Sequence, residues 1–483
     1  MEKAMHSALD ETRKKRWLIF ASLMSVFAIG YFHRVAPAVT AGDIMRTFQT
    51  TGAALAALSS AYFYIYAFMQ IPSGILSDTM GPRLTVALGA AVMGAGAILF
   101  GIAPNLFFCY AGRFLIGFGV SVFMVNTMRI CVEWFRPDEL GRMNGLTTAV
   151  GGVGALLAAT PLALLSGLLG WRLSFVCIGL VSLLLAWCCW RVIRNRPADC
   201  GLPSPWPSGS RARQVGHGSP SLGPAIWQGL KRVVRNPYTW PPFFGFFALY
   251  STLMAFSGLW GIPFFTQVYG ISTLQAADYV MTVSLGVVVG CPIVGFVSDR
   301  ALARRKLPYV TCACAYALIW AILCFSNGGK PPLHYLYPLC FAMGFFCSAF
   351  ILSIVTTKEV NDIRLAGIAM GTCNTGGFIG AALMQIVLGK TLDLGWDGAL
   401  LNGVRIYPQS AYRTAFIICF FVTLIGLAAA FLLKETHCRD TVDTPPALSL
   451  PGRKKFPYRK IFPPGKEDSR KGRLPLIGLK RQY

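Results

Sequence analysis

The chain has 483 residues, of which 54% are hydrophobic and only 13% charged, whereas an ordinary soluble domain carries roughly 25% charged, so this chain needs lipid as its solvent. Its formal charge of +24 would in a soluble protein suggest a nucleic-acid partner. Placement excludes that partner: about 35 of the Lys and Arg fall in alternate loops on the side of both termini, about 6 on the other side, and Arg34, Arg113 and Arg129 within apolar spans.

Residues 1–16, with Arg13, Lys14, Lys15 and Arg16, read as a cytoplasmic N-terminus. The apolar run behind them is too long for a signal sequence and is expected to be retained as the first span. Apolar stretches of about 20 residues, enough to cross a bilayer core, then recur. Those at 17–39, 53–75, 84–103, 107–132, 143–166 and 172–193 define an N-terminal six-helix bundle over 17–193. Residues 194–240, rich in Pro, Gly and Ser, read as a cytoplasmic linker, and Ile226 to Val234 within it has the apolar and basic alternation of a surface helix. A second set at 241–264, 276–297, 308–327, 333–356, 367–389 and 412–433 defines a C-terminal bundle over 241–434. The basic tail, 435–483, is expected to lie against anionic lipid headgroups in the cytoplasm.

The two sets are related. Glu133, Gly141, Gly145, Gly151 and Gly154 recur as Glu359, Gly367, Gly371, Gly377 and Gly380, at a constant offset of 226. Such a repeat marks a duplicated bundle, an architecture that carriers use to bind a solute between halves. The expected fold is therefore an all-α membrane protein of twelve transmembrane helices in two pseudo-symmetric bundles. The 15 Cys stand mostly singly in apolar spans, as Cys109, Cys131, Cys177, Cys291 and Cys373 do, without metal-ligand spacing. No cofactor, metal site or enzyme active site is expected, since the non-membrane pieces are too small and polar to build one.

The second span ends in Gly74-Ile-Leu-Ser-Asp78-Thr-Met-Gly81-Pro-Arg83. Gly81 permits a tight reversal, Asp78 offers an acceptor near helix ends, and Arg83 holds the loop on the cytoplasmic side. This resembles the signature loop of the major facilitator superfamily, departing from it at Thr79 and Pro82, where that family usually carries basic residues. The second half keeps Gly295 and Asp299-Arg300 but loses the later glycine. Arg113-Phe-Leu-Ile-Gly117-Phe-Gly119, the loop Trp134 to Arg142, and the openings Trp171-Arg172 and Tyr412-Arg413 resemble the same family. The resemblance implies that Asp78, Arg83, Arg113, Arg129, Glu133, Arg142, Asp299, Arg300 and Glu359 gate or couple the two halves through cytoplasmic ion pairs. The alternative for the four acids is that they are solvated loop charges.

An arginine inside a span costs about 2.5 to 3.5 kcal/mol and normally faces the bundle interior or water. Arg34, in Tyr31-Phe-His33-Arg34, is such a residue, and its segment resembles the first helix of organophosphate:phosphate antiporters and anion:cation symporters, where a comparable arginine binds phosphate or carboxylate. The alternative is that Arg34 snorkels to the outer headgroups. Tyr62 and Tyr66, four apart, share one face and can converge on a polar ligand. His33, Asn126, Trp260 and Asn374 complete the candidate substrate site, with Gln385 beside them; each also suits a structural interhelical bond. His33 is the one intramembrane group titrating near neutrality, and no Asp or Glu lies in the middle of a span.

These readings converge on a secondary carrier of the inner membrane, both termini cytoplasmic, moving a small organic anion by alternating access with protons or a counter-anion. Export of an amphipathic compound or siderophore, and a non-transporting anion sensor acting through the basic tail, are the alternatives.

Overall fold

Backbone N–H and C=O groups have no water to bond in a bilayer core, so an apolar chain satisfies them internally by forming helices. The computed structural model describes residues 2–136, 139–203, 222–401 and 404–441. The linker residues 204–221 and the tail beyond Thr441, with every Lys and Arg of the tail except Arg439, lie outside the described residues.

The first half comprises α1 (Glu2–Phe48), α2 (Gly52–Phe68), α3 (Gln70–Met80), α4 (Pro82–Ile102), α5 (Leu106–Ser121), α6 (Phe123–Trp134), α7 (Leu140–Leu157) and α8 (Thr160–Val192). Helix α9 (Leu222–Arg235) follows, covering the expected surface helix. The second half comprises α10 (Trp240–Ala255), α11 (Gly261–Tyr269), α12 (Thr273–Phe296), α13 (Lys306–Phe325), α14 (Leu336–Cys347), α15 (Phe350–Glu359), α16 (Ala366–Leu394) and α17 (Gln409–Leu432). A small hairpin, β1 (Leu400–Leu401) with β2 (Val404–Arg405), fills the loop before α17.

Among the described residues, ten helical stretches are long and apolar enough to cross a membrane. One of them, Arg142–Val192, holds two crossings, because Gly170 adopts φ 77° and turns the chain inside α8. Helices α2 and α3, broken at Met69, add one more. Twelve crossings result. Several are segmented: π turns at Phe256–Trp260 and Val297–Ala301 join α10 to α11 and end α12. The first crossing is longer than its apolar run to residue 39 suggests. Helix α1 continues to Phe48 because its polar last turns are held from α8, Trp171 Nε1 donating to Thr47 Oγ1 at 3.2 Å and stacking edge-on against Phe48.

The same pairings recur in both halves: α1 packs on α7 as α10 packs on α16, and α4 on α8 as α13 on α17. The repeated glycines explain part of this. A Cβ on Gly151 would lie 3.1 Å from the Tyr31 ring, and one on Gly154 would strike the Ala28 carbonyl, both on α1. In the second half Gly377 and Gly380 stand against Phe246 and Phe247 of α10. Small residues let these helix pairs approach closely. Between the halves, α2 runs antiparallel to α16, α7 contacts α12, and α1 contacts the π turn before α11.

Candidate functional site

Arg34 sits on α1 where it meets the second half. It is 2% exposed, its Nη1 donates to the Tyr250 hydroxyl of α10 at 2.9 Å, and it does not snorkel outward. Its guanidinium carbon lies 4.1 Å from the Tyr31 ring centre, 4.9 Å from Phe378, 5.2 Å from Tyr66 and 5.9 Å from Tyr62. Tyr62 and Tyr66 stack at 6.0 Å on one face of α2, as their spacing predicts.

Arg113, on α5, is fully buried behind Tyr62. It donates to the His33 carbonyl at 2.7 Å and lies 5.1 Å from the Tyr62 ring. No carboxylate pairs with either arginine among the described residues, and Arg34 Nε, Arg113 Nε and Arg113 Nη2 are buried without a partner. Ring faces attract a guanidinium, by about 2 kcal/mol or more when desolvated, but they carry no charge to neutralise it. The site is thus two cations with donors to spare.

The other sequence candidates do not join this cluster. The His33 ring packs between Phe32 and Phe175, both ring nitrogens unpartnered. Asn126 donates to Val122 O of its own helix at 2.7 Å. Asn374 donates to Gln70 Oε1 of α3 at 3.0 Å, a bond between halves. Trp260 donates to Gln385 O at 3.3 Å and packs edge-on against Tyr407. Of the residues that frame Arg34, Tyr250 had no distinguishing sequence signal, because α10 is rich in aromatics; Tyr31 stands three residues before Arg34, and Phe378 is the one aromatic residue of α16.

At the end where α1 begins and α17 ends, several of the expected gate residues bond within their own halves. Arg83 N donates to Asn195 Oδ1 at 2.8 Å and its Nε to Trp190 O at 2.9 Å; Arg129 donates to Ser77 at 3.3 Å; Glu133 lies 3.9 Å from Arg196. Arg305, the middle one of three consecutive cations, bonds both Asp299 and Glu359, the latter at 2.8 Å. Glu359 also accepts from Thr436 at 2.5 Å. Arg142 and Arg300 are exposed. The side chain of Asp78 lies outside the described residues. Burial alone would raise the Glu435 carboxyl, yet the N–H groups of Arg305, His437 and Lys306 hold it below the usual range.

The far end is joined across the halves. Ser60 donates to Ala382 O at 2.8 Å, Thr160 to Asp278 at 2.6 Å, and Asp393 caps α2 together with Tyr407. Nothing in the sequence distinguished Asp393 from a solvated charge at a span's end.

The sequence profile of the Major Facilitator Superfamily matches residues 18–385, and the chain belongs to that family of membrane proteins. It is similar to the membrane sensor protein UhpC of Salmonella typhimurium, 25% identical over 405 residues, 80% of this chain and 88% of the relative. It is also similar to the probable L-galactonate transporter of Escherichia coli, 24% identical over 442 residues, 88% of this chain and 91% of the relative. Among solved structures, a bacterial homolog of the human lysosomal transporter Spinster, inward-facing and unoccupied, shares the fold: TM-score 0.70, 17% identity, covering 87% of this chain and 97% of that one.

Proposed function

We propose that the protein is a secondary carrier of a small organic anion, bound at Arg34 between the halves. The observation that carries this reading is the pair of buried guanidiniums, Arg34 and Arg113, with unpartnered donors and no carboxylate partner among the described residues. Each buried charge is costly in a bilayer interior, and an anionic ligand at Arg34 offsets that cost. The names of relatives, among them transporters of galactonate and of hexuronate, favour the same class.

In this reading residues 17–193 and 241–434 rock about the site as two bundles tethered by 194–240, in the inner membrane with both termini cytoplasmic. Asp78, Arg83, Arg113, Arg129, Glu133, Arg142, Asp299, Arg300 and Glu359 gate or couple the two halves. Moving an anion into a negative interior costs about 2.3 kcal/mol per charge per 100 mV, so the carrier exchanges anions or brings protons along. The basic tail rests on anionic headgroups.

The test is a thermal-shift screen of purified protein against metabolite anions, repeated with Arg34→Ala. A ligand that stabilises both proteins equally overturns the anion site. The similarity to a named sensor raises a second reading, in which the chain binds an anion and signals through its tail. Deletion beyond Thr444 separates the two: a carrier still moves substrate, whereas a sensor binds it and falls silent.

A further inference from the structure

Aromatic rings from both halves enclose the Arg34 site. The first half supplies guanidinium donors without partners and the rings of Tyr31, Tyr62 and Tyr66. The second adds Phe378, which lies 4.9 Å from the Arg34 guanidinium carbon, 4.2 Å from the Tyr66 ring and 5.5 Å from Tyr250. Behind them Phe350 packs at 5.5 Å on both Phe246 and Tyr250, and Phe246 stacks on Tyr250 at 5.2 Å.

Several hydrogen-bonding groups near this wall are already engaged. The Tyr250 hydroxyl accepts from Arg34, Ser251 and Thr252 bond carbonyls of α10, Ser353 bonds Tyr309, and Asn374 bonds Gln70. The unpartnered acceptor on α16, Gln385 Oε1, stands two helical turns from Phe378, about 10 Å along the axis. A ligand with its charged end on Arg34 therefore turns its body toward aromatic rings. Each hydroxyl left unpaired there costs about 1–3 kcal/mol, whereas apolar surface gains about 25 cal/mol per Å² buried.

Resting on the anion reading above, we infer that the substrate is an organic anion with a compact, flat apolar body, of the aromatic carboxylate class, rather than a polyhydroxylated sugar acid. Its carboxylate lies on Arg34 and its ring against Phe378, which selects for that body. The class differs from the sugar acids for which several similar transporters are named.

The experiment titrates the full-length protein in detergent with benzoate and D-galactonate by thermal shift, with benzyl alcohol as the uncharged control, in wild type, Phe378→Ala, Phe378→Leu and Arg34→Ala. Benzoate is expected to half-saturate at a concentration at least about tenfold below galactonate, the discrimination a well-filled apolar pocket gives. Phe378→Leu, which keeps the core filled should the alanine variant misfold, narrows that gap to about threefold by trimming ring area. Arg34→Ala abolishes the benzoate response. Galactonate binding as tightly as benzoate, with both responses lost in Arg34→Ala, overturns the apolar-body inference and leaves the anion reading standing. A benzoate response that is absent from wild type, or matched by benzyl alcohol, overturns the inference as well. One that survives in Arg34→Ala removes the anion reading beneath it.

Discussion

The carboxylate of Asp393, at the end of α16, accepts the backbone N–H of Ala53, in the first turn of α2, at 2.7 Å, binding one half of the molecule to the other. Gly52 N donates to the same carboxylate at 3.1 Å, the Tyr407 hydroxyl at 2.6 Å, and Arg405 lies 3.4 Å away. Helix N-termini carry about half a positive charge and unbonded N–H groups, so Asp393 holds α2 by charge as well as by hydrogen bonds. Hydrogen bonds to a charged group contribute about 1.5–3 kcal/mol. Replacing Asp393 with Ala is expected to shift the protein toward conformers open at the far end. Spin labels at the exposed positions Phe107 and Leu400 should then report a larger share of long distances. An unchanged distance distribution would show that this contact does not set the closed state.

Tyr250 holds the Arg34 guanidinium from the opposite half. Tyr250→Phe keeps the ring and removes the hydroxyl, at an expected affinity loss of about tenfold or more, the equivalent of one bond to a charged group. Arg34→Lys keeps the charge but loses the planar fork, and is expected to cost more than Tyr250→Phe. Both are read as dissociation constants for whichever anion the screen identifies. Wild-type affinity in both variants would place the binding determinant elsewhere.

Much of the architecture was legible because lipid imposes one pattern: apolar runs of crossing length, and cations sorted by side. Arg34, Tyr62 and Tyr66 were legible for local reasons, a charge inside an apolar run and a four-residue spacing. Tyr250 was not, since its neighbours Phe243, Phe244, Phe246 and Phe247 are also aromatic. What singles it out is a contact 216 residues away. Arg305 hid among Arg304 and Lys306 for the same reason: only the fold decides which of three adjacent cations reaches Glu359. Trp260 is buried and Asn374 half-buried, and their partners Gln385 O and Gln70 make them interhelical ties away from Arg34.

The repeated glycines do not carry equal structural weight. A Cβ on Gly154 would collide with the backbone carbonyl of Ala28, which has no rotamer to yield, whereas Gly145 has nothing within 4 Å. Gly154→Ala is expected to destabilise by about 1–3 kcal/mol through overpacking. Gly145→Ala should be neutral or stabilise by up to about 1 kcal/mol through helix propensity. Thermal unfolding in one detergent compares them directly. Equal melting temperatures would mean that α1 and α7 do not need this close approach.

Glu435 and Asn195 hold equivalent places, each following the last crossing of its half and capping the third. Asn195 Oδ1 accepts from Arg83 N at 2.8 Å, and Glu435 accepts from Arg305 N at 2.7 Å and Lys306 N at 3.1 Å. Only Glu435 titrates. Because these N–H groups hold its carboxyl below the ordinary range, its cap contributes fully above the unfolded value of about 4.3. That contribution is lost as pH falls through the lower folded value. A cap of this kind is worth about 0.5–2 kcal/mol. The melting temperature of wild type should therefore fall on acidification below about pH 4.3, whereas Glu435→Gln starts lower and shows a shallower fall over that interval. Asn195→Ala, by contrast, lowers it by a similar amount at neutral and acid pH alike. If Glu435→Gln and wild type lose stability in parallel below that pH, the carboxylate is not acting as the cap.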